Sequence, residues 1–209
     1  MTLRIVVISD THGLHRRLHV PEGDVLVHGG DVTGHGTLAE LADFNAWLGD
    51  LPHPHKLIIA GNHDFCIQDH PAEARSAITN ATYLEDDGVV LQGVYFYGAP
   101  WQPWFFDWAF NLKRGSEIRA KWELIPSTVD ILITHGPPAN ILDETFLGVH
   151  TGCQDLLEIV RQVKPRYHIF GHIHEAAGSF ESEETTHINA SICRFPEYTP
   201  LRKAIVIDV

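Results

Sequence analysis

The sequence is poor in cysteine, in basic residues and in long apolar runs, and each shortage excludes a class of protein. Its three cysteines, Cys66, Cys153 and Cys193, are odd in number and widely spaced, so they form neither a paired disulfide framework nor a Cys-x-x-Cys zinc site. We therefore expect reduced thiols in a cytoplasmic protein. No apolar run reaches the roughly 18 residues that a membrane span requires, and no membrane partner is predicted.

The scarcity of basic residues is the second informative absence. Fifteen lysines and arginines stand against 27 acidic residues, and the net charge of −12 disfavours binding to nucleic acid or to an anionic membrane through a broad basic surface. With 209 residues and 44% hydrophobic content, the chain is predicted to form one globular domain over residues 1–209. Histidine is in excess, with 15 copies, and it is the commonest metal ligand in proteins.

Short apolar runs alternate with helical patterns along the chain. Five runs are continuous, which is typical of strands buried on both faces, and each ends in a polar or glycine-rich turn. These runs cover residues 3–8, 25–28, 56–60, 130–134 and 167–170. Apolar spacing predicts helices over 37–50, 116–124 and 156–163, a hairpin over 89–98 with a turn at Gln92-Gly93, and an edge strand over 204–209. This alternation predicts an α/β layered domain.

Metal-binding side chains follow every one of the five predicted strands. They are Asp10, His12, Asp31, Asn62, His63, His135, His172 and His174. Because the carboxyl ends of strands in an open α/β sheet border one crevice, we expect these groups to gather there. Carboxylate, imidazole and amide ligands without thiolate suit two divalent, moderately hard cations such as Mn²⁺, Fe²⁺ or Zn²⁺. Within segments 10–12 and 172–174, the two-residue spacing points both side chains to one side of an extended backbone.

The five turns together resemble a known family. In chain order they read Ser9-Asp10-Thr11-His12, Gly30-Asp31, Gly61-Asn62-His63-Asp64, His135-Gly136 and Gly171-His172-Ile173-His174. This set is similar to the five-block signature of calcineurin-like metallophosphoesterases. Segments 99–104, 131–138 and 188–191 are similar to the metallophosphoesterase-domain-containing, brain-type phosphodiesterase subgroup. One departure is Asp64, where many relatives have Glu, and it keeps both charge and position.

The resemblance implies a fold, a cofactor and a division of ligands. The fold is a four-layer αββα sandwich of two mixed β-sheets flanked by helices. The cofactor is two divalent metal ions, Mn²⁺ first, with Fe, Zn or Ni as alternatives. One ion would be held by Asp10, His12, Asp31 and His174, and the other by Asp31, Asn62, His135 and His172, with Asp31 as the bridge. His63 would bind no metal and would face the scissile phosphate as general acid.

The expected reaction is hydrolysis of a phosphodiester bond in a small substrate, with cyclic nucleotides among the candidates. Two cations roughly 3.5–4 Å apart would bind phosphate oxygens and acidify a bridging water, and the resulting hydroxide would attack in line. His63 would then protonate the departing alkoxide. Asp64 is a candidate to hold His63 in its acid tautomer, and a purely structural Asp64 is the alternative. Asn62 is a candidate substrate contact as well as a metal ligand.

An aromatic-rich segment over residues 97–114 is the candidate for substrate selection. Within it, Trp101 is a candidate to stack on a nucleobase and Arg114 to reach a phosphate oxygen. The alternative for most of these rings is a hydrophobic cluster that holds a long connection against the core.

Two other classes of function fit the same residues. A phosphomonoesterase, phosphoprotein phosphatase or nuclease would use the same metal site, but a nuclease would be expected to carry a basic track, and none is evident. A non-catalytic binding scaffold predicts eroded ligands and a missing catalytic histidine, whereas all of them are present. The sequence therefore favours an enzyme acting on a small phosphate ester without a stable nucleic-acid partner, and it leaves the oligomeric state open.

Overall fold

Two β-sheets with helices on their outer faces frame the molecule, in a computed structural model that describes residues 2–194, 199–200 and 202–209. The strands are β1 (Arg4–Ile8), β2 (Val25–His28), β3 (His55–Ile58), β4 (Thr82–Tyr83), β5 (Asp87–Leu91), β6 (Val94–Ala99), β7 (Gln102–Pro103), β8 (Asn111–Leu112), β9 (Ile131–Thr134), β10 (Tyr167–Phe170), β11 (Gly178–Glu181), β12 (Thr186–Asn189), β13 (Cys193–Arg194), β14 (Thr199–Pro200) and β15 (Ile205–Asp208). The helices are α1 (Leu38–Asp50), α2 (Phe65–Asp69), α3 (Pro71–Ala77), α4 (Ser116–Trp122) and α5 (Gln154–Val163), and short 3-10 turns cover His15–Arg17 and His174–Ala176.

Each large sheet has a parallel centre and an antiparallel edge. The first has the order β15-β1-β2-β3-β4, in which β1 to β4 are parallel and β15 is antiparallel to β1. The second has the order β11-β12-β10-β9-β6-β5, with β11 and β5 antiparallel to their neighbours. The parallel centres matter for function, because they bring the turns that follow neighbouring strands to the same edge.

Three hydrophobic clusters separate four layers. Between the sheets, Ile5 of β1 belongs to one buried cluster with Ile133 of β9 and Ile169 of β10. On the opposite face of β1, Val6 belongs to a cluster with helices α1, α2 and α3, and a third cluster joins α4 and α5 to β6 and β9. Because the central strands are buried on both faces, their sequences are continuously apolar. The predicted four-layer sandwich of two mixed sheets flanked by helices is confirmed.

Local signals explain where several elements begin and turn. Helix α1 starts after Thr37, whose hydroxyl accepts from the Glu40 N–H at 3.2 Å while the Glu40 carboxylate accepts from the Thr37 N–H at 3.1 Å. Strands β5 and β6 are joined through Gln92 and Gly93, with φ of 50° and 86°. Positive φ at both positions matches the two-residue turn of a twisted hairpin, so the predicted hairpin is confirmed.

The predicted elements are confirmed with small shifts at their ends. Strand β3 ends at Ile58 rather than at residue 60, because the chain already bends towards Gly61, and α4 ends at Trp122 rather than at residue 124. Strand β15 lies at the edge of the first sheet, as expected. All three cysteines are free and buried. Within the described part of the chain, no helix combines the length and the apolar character that crossing a membrane would need.

Candidate metal centre

The turns after the parallel strands of both sheets meet at one place. Gly171, after β10, donates its N–H to the carbonyl of His135, after β9, at 2.9 Å. The two sheets are joined there, because His135 Nδ1 lies 2.9 Å from the carbonyl of Gly29 and the His172 N–H donates to both carboxylate oxygens of Asp10 at 3.0 Å. The gathering of the five turns predicted from sequence is therefore what the structure shows.

The backbone of these turns is left-handed at several ligands. Asp10, His12, Asp31 and His172 have φ of 56°, 44°, 55° and 70°. The extended backbone predicted for segments 10–12 and 172–174 is therefore wrong, and the side chains converge because the chain turns sharply, with His174 beginning a 3-10 turn. A left-handed residue other than glycine costs about 1–2 kcal/mol, and such strain concentrates at functional sites.

Three overlapping groups of three side chains could hold a metal ion, and Asp31 belongs to two of them. The first group is Asp10, His12 and His174, and the second is Asp31, His135 and His172, with the ligand atoms of each group within 4.8 Å of one another. Asp31 also forms a third group with His12 and His63. Asp31 Oδ2 lies 3.5 Å from His135 Nε2 and 3.8 Å from His12 Nε2. Asn62 Oδ1 lies 2.9 Å from His135 Nε2 and completes the second group. The structure thus brings the residues of both expected ligand sets together, and their division between two ions stays a prediction.

The chemistry of this donor set fits divalent cations. His12 Nε2 and His174 Nε2 face each other at 3.2 Å, a distance at which two lone pairs repel unless a proton or a cation lies between them. In the second group, the Nδ1 of His135 faces a carbonyl, which only accepts, so its proton lies there and Nε2 is the atom that can ligate. Buried carboxylates beside such imidazoles supply the negative charge that balances a cation.

Burial and charge set the protonation of these ligands. Burial lowers the pKa of His12 to about 4 and that of His172 to about 3, which keeps both rings neutral and their lone pairs available. Burial also opposes charge on His135, but Asp31 outweighs it and raises the His135 pKa to about 9. Burial works to raise the pKa of Asp10, yet the contact with His174 prevails and the pKa falls well below its ordinary value. A cation would displace the histidine protons on binding.

Neighbouring groups hold the carboxylates in place. Asp10 Oδ2 accepts from Ser191 Oγ at 2.8 Å, and Asp31 Oδ1 accepts from the His63 N–H at 2.8 Å. Two glycines leave the space that these carboxylates occupy. A methyl group at Gly61 would collide with Asp31 Oδ1, and one at Gly171 would collide with Asp10 Oδ2. Glycine is therefore required at both positions by close approach.

His63 stands beside the ligands with its ring fixed. Its Nδ1 lies 3.0 Å from the carbonyl of Gly34, and its ring centroid lies 4.5 Å from that of Trp108 and 4.6 Å from that of His12. Because the carbonyl only accepts, Nδ1 carries a proton, and Nε2 is left to exchange a proton with substrate. Gly34 is held in turn by its N–H, which donates to Glu40 Oε1 at 3.1 Å.

Asp64 holds two turns together in the structure, and this corrects its predicted catalytic role. Its buried carboxylate accepts from the N–H groups of Val32, Thr33 and Gly61 and from the Thr33 hydroxyl, at 2.8–3.2 Å. These four donors occupy the carboxylate, and the acceptor at His63 Nδ1 is the Gly34 carbonyl instead. Asp64 therefore joins the turns after β2 and β3 rather than holding the acid tautomer of His63.

A cavity of about 460 Å³ opens onto the metal ligands. Asp31, Asn62, His63, His172 and His174 line its floor, and aromatic side chains of Trp104, Phe105, Trp108 and Phe146 line its walls. Asn62, predicted to contact substrate, therefore faces the cavity. The cavity volume is in the range of small-molecule sites.

The two residues proposed from sequence for substrate selection have other partners. Trp101 is not among the cavity's lining residues; its Nε1 donates to Asp86 at 2.7 Å and Lys121 lies 4.2 Å above its ring. Arg114 does line the cavity, but its guanidinium donates to the carbonyls of Thr151 and Gly152 at 2.8 Å. The prediction is thus wrong in placing Trp101 at the cavity. Arg114 uses two of its five N–H donors to hold a loop, and its contact with substrate stays a prediction.

Sequence reasoning missed the cavity walls. Phe105 and Trp108 lie in the predicted aromatic segment, so the segment was the right signal and the choice of Trp101 within it was wrong. Phe146 comes from a second loop, before α5, which no motif marks. Its place beside the cavity depends on the tertiary fold.

A two-sheet sandwich with aspartates and histidines gathered at the carboxyl ends of its strands defines the class of metallophosphoesterases. The chain belongs to the calcineurin-like phosphoesterase family, whose model matches residues 3–176. Membership implies a metal-dependent phosphoesterase, and the family typically binds two divalent metals. The clusters described above could hold them.

Relatives and solved structures agree with this assignment. Metallophosphoesterase domain-containing protein 1 of Homo sapiens is 43% identical over 231 residues, covering 99% of this chain and 71% of that protein. A UPF0046 protein of Caenorhabditis elegans is 41% identical and covers 91% of this chain and 75% of its own length. Phosphopantetheinyl hydrolase from Mycobacterium tuberculosis has a TM-score of 0.71 at 13% identity, covering 98% of this chain and 95% of that one. At that identity the likeness concerns the fold alone. The predicted resemblance to the metallophosphoesterase-domain-containing subgroup is confirmed.

Proposed function

We propose that the protein hydrolyses phosphodiester bonds in small molecules, using two divalent cations and His63 as general acid. The observation that carries the proposal is that Asp31 faces both ligand groups while His63 opens onto the same cavity. Aromatic walls on more than one side of that cavity give room for the two ester groups of a diester. Mn²⁺ is the first candidate metal, with Fe, Zn and Ni as alternatives, because the donors are carboxylates and imidazoles without thiolate.

The residues divide the chemical work among themselves. Lewis-acid activation of the phosphate and of the attacking water is the chemistry that two divalent cations supply when these residues bind them. Asn62 and His172 line the cavity that would take the phosphate, and the tilted ring of Trp108, 4.5 Å away between centroids, supports His63 at the cavity. His63 Nε2 donates its proton to the leaving oxygen while Nδ1 remains bonded to the Gly34 carbonyl.

The proposal also covers the class of substrate and the cellular compartment. The substrate is a small phosphate ester, cyclic nucleotides included, rather than a nucleic acid, since the net charge is −12. We place the protein in the cytoplasm on the strength of its three free cysteines.

A metal-by-substrate panel tests the proposal. Protein stripped by chelation is loaded with Mn²⁺, Fe²⁺, Ni²⁺ or Zn²⁺ and assayed with bis(4-nitrophenyl) phosphate, 4-nitrophenyl phosphate, and 2′,3′- and 3′,5′-cyclic nucleotides. We expect the diesters to be hydrolysed faster than the monoester. A reversed order would assign a phosphomonoesterase, and no turnover with any pair would leave a binding module.

Two substitutions separate the roles of the site. Asp31→Asn should weaken metal loading, because Asp31 faces both ligand groups. His63→Ala should keep both metals and lose about 10²–10⁴-fold in turnover of an alkyl ester, with a smaller loss for an activated aryl leaving group that needs no proton. His19→Ala, at an exposed histidine, is the matched control. Full activity of His63→Ala on alkyl esters would contradict the general-acid role.

A further inference from the structure

The mouth of the cavity carries an apolar rim. Among the described residues, eight large hydrophobic side chains are markedly exposed, and five of them lie on two loops that line the cavity. The five are Trp104, Phe106, Phe146, Leu147 and Val149, of which Trp104 and Phe146 line the cavity and the other three lie beside them in the chain. We call loops 104–110 and 144–150 the rim loops. Clustering of exposed apolar side chains beside a ligand site is typical of a binding surface.

The second rim loop carries large apolar residues where a tight turn usually has small or polar ones. The Thr145 N–H donates to Val149 O at 3.0 Å and the Gly148 N–H donates to Thr145 O at 2.9 Å, so the loop is a small hairpin. Its tip presents Phe146 and Leu147, which are 65% and 73% exposed. Tips of tight turns usually carry Gly, Asn, Asp, Ser or Pro. Turn geometry does not account for these two side chains at such a tip.

The first rim loop holds an exposed ring in a strained conformation. Phe106 is 75% exposed and has φ of 48°. The loop is pinned by Asn111, whose Nδ2 donates to the carbonyls of Phe105 at 2.9 Å and Phe106 at 3.2 Å. A loop fixed in this way before binding loses little conformational freedom when a ligand packs on it.

The two rim loops are also fixed relative to each other. Arg114, which follows the first loop, donates to the carbonyls of Thr151 and Gly152, which follow the second, at 2.8 Å. The buried carboxylate of Asp143 accepts from the Gly152 N–H at 3.0 Å and from the Asn140 N–H at 2.9 Å. The two rim loops therefore stand in a set position relative to each other.

We propose that an ester group of the substrate is apolar, an aliphatic chain or a plain aryl ring, and packs on the rim loops while its phosphate lies at the metal centre. The inference rests on the proposed function and names the substrate class. The rim loops contain Asp107 and Glu144 and no lysine or arginine, and their one basic side chain, His150, is paired with the carboxylate of Asp143 at 2.7 Å, so they offer little attraction to an anionic headgroup. The polar edges of a nucleobase would lose hydrogen bonds to water there without replacement, because the five side chains offer a single polar atom, the Trp104 indole nitrogen.

A chain-length series tests the inference. Mn²⁺-loaded protein is assayed with methyl, butyl and octyl 4-nitrophenyl phosphodiesters below their aggregation concentrations. We expect kcat/KM to rise by about twofold for each added methylene, half of the fully buried effect, because the rim remains open to solvent. Leu147→Ser and Phe106→Ser should each lower the octyl-to-methyl ratio by about three- to tenfold. Leu124→Ser and Val90→Ser, at exposed apolar residues outside both rim loops, are the matched controls.

Several outcomes would overturn the inference. They are a flat chain-length series, an equal loss in the control variants, or a preference for 4-nitrophenyl thymidine 5′-phosphate over the octyl ester. Light scattering adds another: a dimer that becomes a monomer in Leu147→Ser would make the rim loops an interface between copies. Co-sedimentation with phosphatidylcholine vesicles that is lost in Leu147→Ser would support the inference and place the apolar group on a lipid, whereas a soluble ester would show the series without co-sedimentation.

A binding measurement separates this inference from the proposed function. Octylphosphonate and methylphosphonate are titrated calorimetrically into the Mn²⁺-loaded protein. If octylphosphonate binds more tightly than methylphosphonate to the wild type and loses that advantage in Leu147→Ser, the result would support the rim. If the same protein hydrolysed no diester, the proposed function alone would fail. Hydrolysis of all diesters with equal binding of both phosphonates would refute the rim and leave the proposed function intact.

Discussion

Replacing Asp143 with alanine should release the second rim loop from the rest of the protein. The Asp143 side chain is 1% exposed, and its carboxylate accepts from the N–H of Asn140 at 2.9 Å, the N–H of Gly152 at 3.0 Å and the Nδ1 of His150 at 2.7 Å. Gly152 also connects this loop to the first rim loop, because its carbonyl accepts a hydrogen bond from Arg114. One carboxylate thus ties together both ends of the loop.

The structure sets the size of the effect. The Gly152 N–H is buried, so leaving it without an acceptor costs about 1–3 kcal/mol. The Asn140 N–H is half-buried and recovers part of its lost bond from water, which adds about 1 kcal/mol. The ring of His150 is exposed, so its N–H bonds to water once the Asp143 carboxylate is removed. We expect Asp143→Ala to lower the free energy of unfolding by about 2–4 kcal/mol.

The pH dependence of this loss has a definite sign. The pKa of His150 is raised first by the hydrogen bond that its ring donates to Asp143 and then by the negative charge of Asp143. Because the folded pKa lies above the unfolded one, this contribution is fully present below about pH 6.5 and disappears as the pH rises through the folded pKa. The loss in Asp143→Ala should therefore be larger near pH 5.5 than near pH 9.

Urea unfolding and hydrogen exchange measure the effect. If the loop opens locally, the amide protons of Asn140 and Gly152 will exchange faster even where the global curve moves less. Asp107→Ala, an exposed acid on the first rim loop, should stay within about 0.5 kcal/mol of the wild type. An Asp143→Ala protein with unchanged stability and unchanged protection of the Gly152 amide would refute the reasoning.

Three further predictions concern the metal centre and the aromatic segment. Ser191→Ala removes the donor to Asp10 Oδ2 and should weaken metal binding by about 10- to 100-fold in a titration. Gly171→Ala forces a methyl against the same oxygen and should abolish metal loading, whereas Gly136→Ala, with its nearest new contact at 3.6 Å, should load normally by elemental analysis. Trp101→Ala should cost about 2 kcal/mol in urea unfolding and leave KM unchanged, because its partners lie outside the cavity. Normal loading of Gly171→Ala, or a raised KM in Trp101→Ala, would contradict these arguments.

The histidine excess has a second explanation beside the metal centre. His15, His28, His53, His168 and His187 are buried and belong to none of the ligand groups, and burial lowers the pKa of each. In the case of His28, Nδ1 accepts from the Gly30 N–H at 3.2 Å, so Nε2 carries the proton that it shares with Thr11 Oγ1 at 3.0 Å. This ring joins the turns after β1 and β2. Several histidines are therefore neutral hydrogen-bonding groups of the core.

The strands and the ligands could be predicted from sequence for a simple reason. Strands buried on both faces must be continuously apolar, as in residues 3–8, and each ligand lies within a few residues of such a strand. Parallel strands bring the turns after them to one edge, so chain order alone was enough to gather Asp10 with Asp31 and, in the other sheet, His135 with His172. The left-handed backbone at Asp10 and His172 was not predictable, because the convergence of turns imposes it.

The sequence by itself determined the layered fold, the eight polar residues at the strand ends and the family, because these depend on local apolar periodicity and on motifs with fixed spacing. Only the tertiary structure decided which aromatic residues face the cavity, what Asp64 binds and what Arg114 holds. These assignments depend on contacts between segments distant in the chain, such as Arg114 with Thr151 and Gly152, and side chains of equal chemistry meet different neighbours there. Trp101 and Trp108 are chemically alike, but the fold places one on Lys121 and the other on His63.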